Sequence, residues 1–263
     1  MHPFDRDLAL EPDGPERFRG RISDDWSING TPNGGYLLAL LARAMEAGSD
    51  RTATPILTAH YLARTLPGPF EAAVAPVARS TQFTRLEARL LQDGQEKLRA
   101  LGTFAAAGND CRVERCEARA PDLPPPEDCL EIPEMPRYTL YRHLEVRLDP
   151  AGAGWMAGSP GERSEHRGWI RFRQPRPLDV GALALMMDAF PPAVLASQGM
   201  VAWVPTIELS VNLRNIPRTP RLKCVFRSRF LNRGVVEEDG QIWDEDNELI
   251  AVSRQIARFR KNS

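Results

Sequence analysis

The chain has 263 residues, 42% of them hydrophobic and 26% charged, with a formal net charge of −1. That balance is typical of a soluble globular protein, and no window approaches the roughly 20 apolar residues that a membrane-spanning helix needs. A near-neutral charge and a pI of about 6.5 argue against a nucleic-acid partner held by a general basic field, so an anionic ligand must be gripped locally, mostly by arginine, since lysine occurs only at Lys97, Lys223 and Lys261.

The opening MHPFDRDLALEPDG carries charges and prolines where a secretory leader needs an apolar core, which predicts a cytoplasmic protein. In the next stretch Gly30, Asn33, Gly34 and Gly35 are loop residues, and Tyr36 to Ala47 reads as an apolar helix rich in Leu and Ala. Strand-length pieces follow, broken at Pro67-Gly68 and at Asp93-Gly94, the latter a hairpin signal. Ala107 to Met135 contains Asn109-Asp110 and Pro124-Pro125-Pro126 without a sustained period and reads as an extended linker. Three of the four cysteines, Cys111, Cys116 and Cys129, fall in it; with Cys224 they make no C-x-x-C pair and read as reduced thiols.

The second half repeats the order. RHLEVRLDP and RGWIRFRQ alternate like strands, an apolar helix follows, and PTIELSVNLRNIP, LKCVFRSRF and the stretch from Gly234 to Arg260 read as further strands. Leu62, Arg64 and Pro67 fall against Asn212, Arg214 and Pro217, and Leu98 and Ala100 against Leu249 and Ala251, at a nearly constant offset of about 150 positions. An internal duplication follows, with halves at 1–106 and 137–263 and a linker at 107–136. Runs of strands with one helix per half predict an α+β fold, each half wrapping an antiparallel sheet around its helix.

The helix of the second half holds the strongest anomaly. LDVGALALMMDAFPPAVL, Leu178 to Leu195, is apolar on every side yet carries Asp188. Three and four positions away stand Ala184, Leu185, Pro191 and Pro192, so no neighbour on its own face can pair with it. Such a carboxylate must be neutralised, bonded to another element or set beside water. Pro191-Pro192 should end the helix at Phe190, which leaves open that Asp188 is simply an exposed residue near a break.

Five pieces in order, NGGYLLALLARAM, AHYLARTLPGP, LALMMDAFPPA, PTIELSVNLRN and LIAVSRQIARF, resemble the bacterial acyl-CoA thioesterase II family, whose chains are two hotdog folds fused in tandem. The resemblance spans nearly all of the chain outside the linker. It implies a double-hotdog thioester hydrolase acting on acyl-CoA without cofactor or metal, with no nucleic-acid or membrane partner, and associating as a homodimer or larger. It further implies an active site of Asp188, of Thr206 opening the PTIELS strand, and of Gln255 in LIAVSRQ. Glu208 and Leu209 stand where the family has Asp and His, and Ile256 and Ala257 where it has Glu-Gly, departures that bear on substrate preference.

Such a set fits thioester hydrolysis, which needs a base for the attacking water, groups to hold that water and donors for the developing oxyanion. Asp188 would be the base, with Thr206 and Gln255 holding the water. Strand alternation puts Gln255 on one face with Leu249, Ala251, Ser253 and Ala257, hence inward. Thr206 shares a face with Glu208, Ser210 and Asn212, so either that face lines a cavity, with Glu208 as a second carboxylate, or Thr206 faces solvent. The Asn33-Gly34-Gly35 turn opens a helix, and the amides of Gly35 and Tyr36 are the expected oxyanion donors.

Other patterns fail. Gly158-Ser159-Pro160 nears a nucleophile elbow, but Pro160 has no N–H for an oxyanion. Gly152 to Ala157 matches a dinucleotide fingerprint by letters, yet a Gly-Pro-Gly neighbourhood follows where a helix is required. His2, His60, His143 and His166 are scattered, with no metal-ligand spacing. Two further functions stay open: an enoyl-CoA hydratase of the same fold, which would need a histidine near Asp188, and a non-catalytic acyl or acyl-CoA binding protein. The helix of the first half has no acid from Tyr36 to Met45, which predicts one active site per chain, at the seam between the halves.

Overall fold

Helices and strands come in two runs of the same order. The computed structural model describes residues 1–51, 53–106, 113 and 115–261. In the first run, strand β1 (Arg17–Ile22) precedes the long helix α1 (Gly34–Ala47), and β2 (Ala53–Tyr61), β3 (Gly68–Arg79), β4 (Phe83–Gln92) and β5 (Gln95–Ala105) follow. In the second, β6 (Leu144–Leu148) and β7 (Glu165–Phe172) precede α2 (Val180–Met186), and β8 (Thr206–Leu213), β9 (Leu222–Arg227), β10 (Val235–Asp244) and β11 (Leu249–Arg258) follow. These strands join one antiparallel sheet in the order β1-β3-β4-β5-β2-β8-β11-β10-β9-β7-β6. From β1 and from β7 the order within each half is the same, so this is the double hotdog expected, an α+β fold.

The seam shows the duplication directly. β2 and β8 pair antiparallel, and Ala59 faces Leu209, two residues that stand 150 positions apart. Equivalent residues therefore meet across a pseudo-twofold axis, and Thr58 and Ser210 share a hydrogen bond beside it at 3.0 Å. The N-terminal segment ties the halves further: Phe4 packs on Trp26 of the first half at 4.9 Å and on Phe172 of the second at 5.5 Å.

α1 is buried on nearly all sides, from Gly35 to Ala42 and at Ala44 and Met45, as an apolar helix without a polar stripe must be. It starts two residues earlier than expected because Asn33 caps it, its Oδ1 accepting the Tyr36 amide at 3.0 Å. α1 and α2 run antiparallel in contact. A Cβ on Gly35 would fall against the backbone oxygens of Ala184 and Leu185, while one on Gly181 would meet the side chain of Ala39.

α2 ends at Met186 rather than at Phe190. Its last turn tightens, the Asp188 amide reaching back to the Leu185 oxygen at 3.1 Å. Pro191 and Pro192 supply no amides to continue the ladder, and their rings would strike the carbonyls four residues back. Asp188 therefore lies in the turn beyond the helix, and Leu195–Gln198 forms a separate short helix.

The stretch read as a linker is docked to the sheet over part of its length. Leu130–Glu131 pairs with Arg147–Leu148 at the sheet edge, and the Trp169 indole donates to the Pro124 oxygen at 2.9 Å. Cys111 lies outside the described residues; Cys116, Cys129 and Cys224 are free thiols. No helix among the described residues is long and apolar enough to cross a membrane.

Candidate active site

Asp188 finds its partners on other elements. Its Oδ2 accepts the Gly35 amide at 2.9 Å and the Asn33 side-chain amide at 3.0 Å, and its Oδ1 accepts the Gln255 side-chain amide at 2.6 Å. Asn33 also donates to the Asp188 backbone oxygen at 2.6 Å. The start of α1, with its unpaired amides and positive dipole end, thus receives the carboxylate that the end of α2 presents. The Tyr61 hydroxyl holds the Gly34 oxygen at 2.7 Å and the Tyr141 hydroxyl the Ala189 oxygen at 3.2 Å, fixing both sides of this contact.

Gln255 extends the cluster to Thr206. Its Nε2 donates to Thr206 Oγ1 at 2.8 Å as well as to Asp188. An ionised carboxylate only accepts, so the amide nitrogen must face Asp188. Both Gln255 protons are then committed, and Thr206 accepts, which leaves the Thr206 hydroxyl proton free to donate.

A bulge decides where Thr206 points. Thr206 pairs with Ala257 and Glu208 with Ile256, a register shift between adjacent pairs. The extra residue, Ile207, is 41% exposed. Strict alternation would keep Thr206 with Glu208; the bulge turns it to the inner face with Gln255. Glu208 stays on the other face, opposite His60 and 4.0 Å from its ring. The structure therefore does not bring Glu208 to Asp188, and the expectation that one polar face carries both is corrected.

The expected oxyanion donors are also corrected. The Gly35 amide is spent on Asp188 and the Tyr36 amide on Asn33. The turn Asn33-Gly34-Gly35 serves the acid instead, and Gly34 has its amide directed at the same carboxylate. No histidine supplies a hydrogen bond to Asp188 among the described residues; His60 and His143 lie beside Glu208 and Asp25.

Comparison with known proteins identifies the family. Residues 22–105 match the acyl-CoA thioesterase N-terminal domain and residues 126–259 the acyl-CoA thioesterase C-terminal domain. The chain belongs to the acyl-CoA thioesterase family. A solved structure from Thermobifida fusca, described as a thioesterase II, is similar at 26% identity and TM-score 0.90 over 99% of this chain and 98% of that one. A hotdog-fold protein of unknown function from Alicyclobacillus acidocaldarius is similar at 25% identity and TM-score 0.90 over the whole of both chains. An uncharacterized protein of Mycobacterium tuberculosis shares 23% identity over 96% of this chain and 94% of its own.

In this thioesterase-family chain burial sets the acidity of Asp188. Desolvation pushes its carboxyl up to about 6, against the opposing pull of the Gly35, Gln255, Gly34 and Asn33 hydrogen bonds. Asp188 as a whole is only partly exposed, and with its carboxyl at about 6 it is ionised at neutral pH but basic for an aspartate. Asn33→Ala removes a helix cap and a donor to Asp188 together. A loss of about 1 kcal/mol in stability is expected from thermal unfolding, with the Asp188 ionisation moved higher.

The second helix start offers no such cradle. Asp179 caps α2, its carboxylate accepting the Ala182 amide at 2.9 Å. The acid near it, Glu46 at the end of α1, has its carboxyl raised first by burial, and Asp179 adds to the rise. A neutral cap at α1 and an anionic one at α2 make the two helix starts unlike.

Strand alternation held one more signal. Counting back by twos from buried Ile242 through Gly240 brings Glu238 to the inner face. Within Glu237-Glu238-Asp239 it reads as one of three solvated acids, and the pattern of charge hides it.

Proposed function

We propose that the chain hydrolyses acyl-CoA thioesters with a water activated by Asp188 and held by Thr206, with Gln255 bridging the two. The observation that carries this is the continuous bond path from Asp188 through the Gln255 amide to Thr206. Asp188 Oδ1 accepts one protein hydrogen bond among the described residues and has a lone pair left for a water. The free Thr206 proton can donate to the oxygen of that water, so the two side chains fix its orientation while Asp188 removes a proton. A carboxyl at about 6 is a stronger base than an exposed aspartate and is still ionised at pH 7. No covalent acyl-enzyme is required.

Steady-state release of free thiol from a series of acyl-CoA chain lengths tests the reading. The protonated acid cannot act as the base, so kcat/KM should climb as pH rises through about 6 and level above it. No thiol release on any chain length, with acyl-CoA still raising the melting temperature, would instead identify a binding protein.

A further inference from the structure

Reading the cluster as a thioesterase site leaves Glu238, an ionisable group of the inner face, unused. Glu238 in β10 pairs with Gln255 in β11, so the two side chains leave the sheet side by side on the inner face, their Cβ atoms about 5 Å apart. Gln255 spans from there to Asp188. Glu238, Gln255, Thr206 and Asp188 are each only partly exposed, on a face whose other members, Val236, Ile242, Ala251 and Ala257, are buried.

One carboxyl oxygen of Glu238 braces the turn that follows Asp188. This oxygen, Oε2, accepts the Ala193 amide at 2.5 Å, in the Pro191-Pro192-Ala193 segment. Oε1 has no protein hydrogen-bond partner among the described residues. The ionisable groups acting on it are Asp188 from that turn and Glu237 in its own strand; His166 in β7 faces the Pro192 oxygen of the same turn. Asp239 pairs with both Arg254 and Arg229 nearby. Burial first, then the charges of Asp188 and Glu237, push the Glu238 carboxyl up to about 8 against the Ala193 hydrogen bond. It carries a proton at neutral pH while Asp188 does not, and two carboxyls so separated suit an acid and a base.

We propose that Glu238 is the proton donor to the departing sulfur, a second catalytic residue alongside Asp188; this rests on the thioesterase reading. Water forms the new carbon–oxygen bond as Asp188 takes one of its protons. The tetrahedral intermediate collapses, the carbon–sulfur pair goes to sulfur, and sulfur takes the proton of Glu238. Solvent then returns the Asp188 proton to Glu238, leaving carboxylic acid and free thiol. A cysteine thiol has a pKa of roughly 8.5 and an unactivated alkyl thiol lies higher, so the departing sulfur is basic enough to take the proton of this donor.

The test compares two thioesters of one acyl group, one of coenzyme A and one of an aryl thiol, whose thiolate leaves without a proton. Glu238→Gln should lower kcat/KM on the coenzyme A ester about 10- to 100-fold and leave the aryl ester within about threefold. For the wild type the coenzyme A rate should fall above about pH 8, and this limb should vanish in the variant. Because Glu238 also braces the turn, the ratio of the two esters is the readout: a folding defect lowers both alike. Glu238→Asp, which keeps an acid, should retain most of the wild-type ratio. An unchanged ratio in Glu238→Gln overturns the proposal while leaving the thioesterase reading intact. A wild type inactive on both esters overturns that reading, and the proposal with it.

Discussion

Asp188→Asn should lose thioester hydrolysis by about 10³-fold or more and yet unfold at the same or a higher temperature than wild type at pH 8. The activity loss has two sources. An amide cannot take the proton of water. The new Nδ2 also faces Gln255 across a 2.6 Å contact, so Gln255 must turn its oxygen toward residue 188, and that oxygen then captures the Thr206 proton which would have held the water. The stability effect follows from the raised acidity constant. The fold prefers Asp188 protonated, so keeping it ionised costs stability that builds up as pH rises from about 4 and is complete above about 6, on the order of 3 kcal/mol before lost hydrogen bonds are counted. That cost is fully present at pH 8 and disappears as pH falls through 6 toward 4. Melting curves of the two proteins should therefore converge on acidification. A variant markedly less stable at pH 8 would show that the hydrogen bonds of the carboxylate outweigh its desolvation.

Gly35→Ala is expected to damage stability and activity together. The added carbon would fall against the Ala184 oxygen, 2.9 Å from that of Leu185 and 3.0 Å from the Asp188 Cβ. The two oxygens belong to the backbone of buried α2 and cannot swing away, so α1 and α2 must part, at about 1 to 3 kcal/mol. The same movement draws the Gly35 amide from Asp188. Since that bond is the largest influence holding the carboxyl down, the pH limb of kcat/KM should move above 6 and the rate at pH 7 should drop. Denaturant unfolding and the pH profile check the two effects separately. A limb that stays at 6 would mean that the α1 start does not tune the acid.

Much of the fold was legible in the chain because its signals are local. The Leu- and Ala-rich run after Asn33, the alternation in β7, β8 and β11, and the Asp93-Gly94 turn each declare an element without reference to the rest. The near-constant offset between Leu62 and Asn212 and between Leu98 and Leu249 declares the duplication, and the sheet meets at Ala59 and Leu209 as that offset requires. The isolation of Asp188 on an apolar run was equally visible, since a carboxylate with no partner on its own helix must find one elsewhere.

What the chain alone could not decide was direction. Thr206 and Glu208 are two positions apart and share a face by alternation; only the bulge at Ile207, set by pairing with β11, separates them. The amides of Gly35 and Tyr36 are free in a helix considered by itself, and become committed only when α2 brings Asp188 to one and the Asn33 cap takes the other. Glu238 gains meaning only when β10 is laid against β11 and the Pro192-Ala193 turn closes over it. Sequence by itself determined the elements, their repetition and the acid in need of partners, because propensity and periodicity act within a few residues. The tertiary structure decided which donors reach that acid and which carboxylates stand beside it, because those contacts join residues 45 to 155 positions apart.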